Sequence, residues 1–266
     1  MSWVNRFVDR TWPPKWLYAW YERRELDRLD KSSLPRHVAV LADGNRRWAR
    51  MNAPGLPLVA GYQAGAAKLM EFVNWCDEAG IQVVTLWVLS TDNLQRAGAE
   101  ELDPLLQVIQ QLVEDLAASR RWRVRAVGAL ELLPPEIAHS LVASADATRG
   151  SSGMQVNVAV AYGGRQELLD AVRSLLSARA ADGATLEEVA DTLASDEISS
   201  HLYTKGQPDP DLIIRTSGEQ RLSGFLLWQS AHSEFYFCEA LWPDFRRVDF
   251  VRALRAYSQR ERRFGR

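Results

Sequence analysis

The residues best suited to chemistry follow short apolar runs. Asp43, Gly44, Asn45, Arg46 and Arg47 come directly after His37 to Ala42. Ser90, Thr91, Asp92, Asn93 and Arg96 come after Ile81 to Leu89, and Arg215, Arg221 and Ser223 follow Asp211 to Ile214. If these three ends converge, five arginines with hydroxyl and amide groups surround one carboxylate, Asp43. Guanidinium forks match phosphate oxygens bidentately, so such a cluster calls for a polyanion, and a diphosphate is the natural size. A carboxylate inside that cluster fits Mg2+, which takes one or two protein carboxylates and completes its shell with phosphate oxygens and water. The blander alternative makes Asp43 a cap and Arg46 and Arg47 partners in surface ion pairs. Repetition of arginine after three separate runs favours the anion site.

Positioning these residues requires strands and helices in alternation. Apolar runs at His37 to Ala42, Ile81 to Leu89, Trp122 to Val127, Met154 to Tyr162, Asp211 to Arg215 and Phe235 to Cys238 read as buried strands. Between them Leu69, Phe72, Val73 and Cys76 repeat at helical spacing, as do Leu105, Val108, Ile109 and Leu112, then Leu168, Ala171, Val172 and Leu175. Pro134-Pro135 opens another helix, Thr185 with Glu188 forms a capping box, and Phe250, Ala253, Leu254 and Tyr257 mark a last one. The expected fold is α/β: a single domain with a mostly parallel central sheet of about six strands, covered by helices on both faces. Ligands in such sheets bind outside the carboxyl ends of the strands, which puts all three clusters in one place.

Composition narrows the classes. The 266 residues carry 32 basic and 34 acidic side chains, too even a balance for a nonspecific nucleic-acid surface, so no nucleic-acid partner is expected. Two cysteines far apart give no disulfide framework, and with neither a signal peptide nor a membrane span in evidence a cytoplasmic location is expected. The four histidines show no HExxH spacing, and GxSxG, P-loop and GxGxxG motifs are absent. Tyr162-Gly163-Gly164-Arg165 could cradle phosphate or simply make a tight turn. Residues 1–34 form an aromatic-rich extension with Trp3, Trp12, Trp16 and Trp20. Packing on the main body is expected of it, and peripheral membrane contact is the alternative. Residues 35–266 form the catalytic domain.

The segment from His37 through Asp43-Gly44-Asn45-Arg46-Arg47-Trp48 to Ala49 resembles the first signature of the cis-prenyltransferases, the undecaprenyl diphosphate synthase family. Gly61 to Gly65, Ser90 to Arg96, Asn157 to Arg165 and Asp211 to Phe245 agree in order, so the resemblance runs from Pro35 to Phe264. It implies condensation of isopentenyl diphosphate with an allylic diphosphate, forming a Z double bond and releasing diphosphate, with an apolar tunnel for the growing chain. It also implies roles. Asp43 would hold Mg2+ on the allylic diphosphate, with Glu234 as a second metal-associated carboxylate. Gly44, Asn45, Arg47 and Trp48 would cradle that diphosphate. Asn93 would assist proton removal, and Ser90, Thr91, Asp92 and Arg96 would belong to a mobile loop. Arg215, Arg221, Leu222 and Ser223 would bind isopentenyl diphosphate. A homodimer is implied, with Glu234 and the Trp242 region near the contact.

Departures from the pattern carry information too. Leu58 and Tyr62 stand where the family places Arg and His, and Gln220 where it often has His. Arg46 replaces a Gly common in long-chain members and could restore the missing charge. Val88 and Leu89 replace an Ala and an aromatic at positions near the tunnel wall. Together with Ser90-Thr91-Asp92-Asn93-Leu94-Gln95-Arg96 and Gln207-Pro208-Asp209-Pro210-Asp211 they resemble the actinobacterial short-chain branch, which makes (2Z,6E)-farnesyl diphosphate from geranyl diphosphate. The alternatives are a medium- or long-chain synthase, a noncatalytic partner subunit, or a diphosphate-binding module or phosphatase.

Overall fold

The computed structural model describes residue 24 and residues 33–96 and 98–260. The aromatic extension, apart from its last residues, and the end of the tail therefore lie outside the described residues.

The elements follow the alternation expected. β1 (His37–Leu41) leads to α1 (Asn45–Asn52) and α2 (Val59–Glu78); β2 (Val83–Trp87) leads to α3 (Thr91–Arg96) and α4 (Ala99–Ala118). β3 (Arg123–Val127) is followed by α5 (Pro135–Asp146), and β4 (Gln155–Ala159) by α6 (Gly164–Ala181), α7 (Leu186–Thr192) and α8 (Ser195–Ser199). β5 (Leu212–Arg215) and β6 (Glu234–Phe237) precede α9 (Arg247–Ser258). The capping box at Thr185 and Glu188 forms as expected, each side chain bonding the other residue's backbone N–H.

The six strands form one sheet in the order β3-β4-β2-β1-β5-β6, with every pairing parallel. Alternation along each strand assigns its residues to two layers. Val38, Val40, Val84, Leu86, Val156, Val158, Leu212 and Ile214 face the larger core, with Leu69, Phe72, Leu112, Leu116 and Leu254 from the helices. Ala39, Leu41, Ala159 and Ile213 face the other, with Phe225 and Leu226. Both faces are thus buried, which is why the strands are nearly continuous in apolar residues. The second face has a polar centre: the His37 ring bonds Thr85 Oγ1 at 2.8 Å, and Asn157 donates to Thr85 Oγ1 at 3.0 Å and exchanges hydrogen bonds with Gln207. Val172 departs from expectation. It is exposed, because the buried stripe of α6 runs through Gly164, Glu167, Ala171 and Leu175 and leaves Val172 to one side.

Candidate active site

β1 lies between β2 and β5, and the chain leaves β1 toward β2 but reaches β5 from the far side of the sheet. That divergence opens a crevice at the carboxyl ends, where Asp43 follows β1 and Arg215 ends β5. Leu41 is level with Arg215 in the register, so the two groups are neighbours by construction. Arg215 Nη2 donates to Asp43 Oδ2 at 3.3 Å, and Arg215 Nη1 donates to Ser223 Oγ at 2.9 Å and to the Arg221 carbonyl. Arg215 is 4% exposed, and its Nε has no protein partner. Burial pulls its pKa down while Asp43 opposes the shift, so the buried guanidinium owes part of its accommodation to that carboxylate.

Gly44 takes φ 108° ahead of α1, a left-handed conformation, and a Cβ there would meet Leu241 Cδ2 at 2.9 Å. Its carbonyl accepts from Trp48 N–H, which starts α1. Asn45 donates to Ala42 O at 3.3 Å, while its Oδ1 is buried without a partner. Gly61 and Gly65, one turn apart on α2, give α1 its seat: a Cβ on Gly61 would strike the Asn45 carbonyl, and one on Gly65 the Asn45 amide. Arg47 donates to Ser217 O at 3.4 Å, and Arg46 lies 3.6 Å from Glu101.

Across the crevice Ser90 caps α3, its Oγ accepting from Asn93 N–H at 3.0 Å. Arg96 Nη2 donates to Asn93 Oδ1 at 2.8 Å and Arg96 Nε to Asp92 O at 3.0 Å. The Asn93 carbonyl is thereby tied, leaving its NH2 as a donor. Ser223, which lines the crevice, and Ser217, whose carbonyl accepts the Arg47 bond, both have positive φ, a conformation that non-glycine residues seldom adopt.

Two cavities meet here. One of about 680 Å3 is lined at its mouth by Asp43, Gly44, Asn45, Arg46, Arg47, Asn93 and Arg96, and deeper in by Leu69, Leu105, Val108, Ile109 and Leu112. The other, about 800 Å3, holds Arg215, Arg221, Ser223, Ser90, Thr91, Asp92 and the Gly163-Gly164-Arg165 turn. They share Ala42, Asp43, Arg46, Val88, Leu89, Asn93 and Arg96. Asp43 thus stands where two arginine-rich chambers meet, one of them lined in part by apolar side chains.

Three expected positions lie elsewhere. Trp48 lines neither cavity, and its indole N–H donates to Asp244 at 2.9 Å. Leu222 lines neither cavity and packs with the Phe225 cluster. Glu234 is level with Leu212 at the opposite end of the sheet and pairs with Arg260, so one chain does not bring it to Asp43. The Trp242 side chain, next to the region that the resemblance puts near a subunit contact, is buried and donates to Gly65 O at 3.0 Å.

The sequence reading missed Arg50, Glu101 and Glu219 in the first cavity and Gln166 in the second. Arg50 stands four residues after Arg46, a signal visible only once residues 45–52 are taken as a helix rather than a turn. Among the described residues no cluster of three or more His, Cys, Asp or Glu could hold a metal by itself. Asp43 alone, a hard oxygen donor between two arginine-lined chambers, fits an ion completed by phosphate oxygens.

Comparison with known proteins agrees with this architecture. The family model described as "Putative undecaprenyl diphosphate synthase" matches residues 41–265. The chain is 59% identical to a (2Z,6E)-farnesyl diphosphate synthase of Thermobifida fusca over 94% of its length and 97% of that protein. It is 56% identical to one of Mycolicibacterium smegmatis over 94% of each. The solved structure of lavandulyl diphosphate synthase from Lavandula x intermedia, in complex with dimethylallyl diphosphate, superposes with a TM-score of 0.80 at 32% identity, covering 88% of this chain and 100% of that one. Carried from its strand ends to its alignment, the chain belongs to the undecaprenyl diphosphate synthase family, the cis-prenyltransferases, and is an isoprenyl diphosphate synthase.

Proposed function

We propose that the protein condenses geranyl diphosphate with isopentenyl diphosphate to (2Z,6E)-farnesyl diphosphate. The observation that carries this is the pair of basic chambers that share Asp43, the first, of about 680 Å3 in all, also lined by the apolar side chains of Leu69, Leu105, Val108, Ile109 and Leu112. An allylic diphosphate fits the first, its chain against Leu69, Leu105 and Leu112. Isopentenyl diphosphate fits the second, against Arg215, Arg221 and Ser223. Relatives named for the same product support the chain length, since a product with Z at the newest bond and E at the older one requires a primer carrying one E bond.

The terminal carbon of isopentenyl diphosphate bonds to C1 of the allylic partner as the C1–O bond breaks and diphosphate departs. A proton then leaves C2 of the isopentenyl unit and the new double bond closes. Arg46 and Arg47 are placed to stabilise the charge that grows on the leaving diphosphate. Mg2+ held by Asp43 would supply further charge neutralisation there. Arg215, held by Asp43 and Ser223, would present its charge to the second diphosphate. Asn93 is an amide and a poor base, so with Arg96 fixing its carbonyl it orients the isopentenyl unit, and substrate diphosphate takes the proton. A homodimer is also proposed, on the ground that β6 ends the sheet with Phe237 exposed and no further strand beyond it among the described residues.

Labelled isopentenyl diphosphate offered with geranyl or farnesyl diphosphate tests the reading. A three-unit Z,E product from geranyl diphosphate, abolished by EDTA, is expected. Longer chains as the main product would overturn the assigned length, and no carbon coupling with any primer would overturn the reaction.

A further inference from the structure

The first cavity contains a carboxylate that binding of a diphosphate does not explain. Its walls are one face each of α2 and α4. On α2 the face runs Tyr62, Ala66, Leu69; on α4 it runs Glu101, Leu105, Val108, Leu112. Each apolar stripe thus ends, at the cavity mouth, in a single polar group one helical turn before the first apolar residue. Those two groups meet, with the Tyr62 hydroxyl donating to Glu101 Oε1. The same oxygen lies 3.6 Å from Arg46 Nη1, and Arg46 reaches both cavities beside Asp43.

A bare carboxylate here would repel an incoming diphosphate, so its presence calls for a compensating role. Two facts supply one. Arg46 is half exposed and sits at the start of a short helix, with Glu101 as its ion-pair partner among the described residues. Tyr62 is a fixed donor: burial and the adjoining carboxylate push its phenol far above the ordinary range, so it stays protonated whenever the enzyme is folded.

We propose that Tyr62 and Glu101 are positioning residues for the allylic subsite: Tyr62 holds the Glu101 carboxylate, which sets Arg46 at the mouth of the apolar cavity, and the same bridge closes α2 on α4 where the primer enters. This rests on the assignment of that cavity to the allylic diphosphate. Neither Tyr62 nor Glu101 lines the second chamber, which they touch only through Arg46 at its edge, so the larger effect belongs to the first.

The test compares wild type with Tyr62→Phe, Glu101→Gln and the double variant, in steady-state kinetics with each substrate varied and in calorimetric binding of geranyl S-thiolodiphosphate. Loss of a hydrogen bond to a charged group gives about a tenfold rise in the allylic KM and in the analogue Kd for Tyr62→Phe. The isopentenyl KM and kcat stay within about twofold, and the double variant is no worse than Glu101→Gln alone, because the two act through one contact. An allylic KM unchanged in Tyr62→Phe, or both KM values rising together, would overturn the proposal. If Tyr62→Phe folds poorly, Glu101→Gln, which preserves shape, carries the same split. A wild-type enzyme that fails to couple geranyl diphosphate would bring down the functional reading itself. Wild-type coupling with no allylic effect in the variants would bring down this inference alone.

Discussion

Arg215 carries more contacts than any other cation in the crevice: the Asp43 carboxylate, the Ser223 hydroxyl and the Arg221 carbonyl. A planar fork reaches three directions at once, whereas a lysine ammonium offers one compact charge on a flexible stem. Arg215→Lys therefore keeps the charge but drops at least one hydrogen bond to a charged partner, each worth about 1.5–3 kcal/mol. The expected outcome is a rise of about 10- to 100-fold in the isopentenyl diphosphate KM, with a smaller change in the allylic KM. Initial-rate measurements with each substrate varied would show it, and equal effects on both would contradict the assigned chambers. Individual residues were the most legible part of the sequence, because Asp43 and the arginines follow strand ends and strand ends converge. Glu234 was not legible. Its distance from Asp43 is a matter of register: β6 enters the sheet with Glu234 at the end opposite the carboxyl ends of the strands, where Asp43 lies.

At the scale of elements, α1 is held by what α2 lacks. Gly61 and Gly65 leave room for the Asn45 backbone and amide, so the first turn of α1 lies on the α2 backbone. Gly65→Ala would force Asn45 outward and with it the Asp43-Gly44 turn. Overpacking of this kind typically costs about 1–3 kcal/mol, so a melting temperature lowered by several degrees together with a weakened allylic KM is expected, and thermal scans beside kinetics would check both. This helix escaped the sequence reading because its eight residues are mostly polar and only Ala49 is buried, so no repeated apolar stripe marks it although its polarity is one-sided. α3 escaped because its six residues bury none of their side chains. The long helices and all six strands were legible from burial periodicity, with ends displaced by a few residues. One such displacement matters: Val88 and Leu89 lie past the end of β2, where both line the two cavities. Val88→Ala removes two methyl carbons from that wall, and a shift of the products toward longer chains on radiochromatography is the expected result. An unchanged distribution would detach chain length from this position.

For the whole molecule, the sheet separates two polar centres. The reaction crevice lies at the carboxyl ends of the strands, while His37 begins β1 at the opposite end, buried with its ring bonded to Thr85 and the Pro208 carbonyl. Burial lowers the His37 pKa from 6.5 to about 4, with Pro208 and Asp211 only partly offsetting it. The sign of the linkage follows. Above the unfolded value both states hold a neutral ring and His37 adds no pH dependence. As pH falls below about 6.5 the unfolded chain takes up a proton that the native chain refuses, so stability declines until the native ring titrates near pH 4. Relative to pH 7.5 the loss is about 2 kcal/mol at pH 5 and levels off at about 3 kcal/mol below pH 4. Urea midpoints of wild type and His37→Gln across pH 4–7.5 should therefore converge as the solution is acidified, since the variant starts lower but has no proton to gain at this site. Parallel curves would mean that the ring is already charged in the native state. Because Arg96, Arg215 and Asp43 share no hydrogen bond with this network, the allylic KM of the folded variant should stay within about twofold of wild type at pH 7.5, separating what holds the sheet together from what it positions.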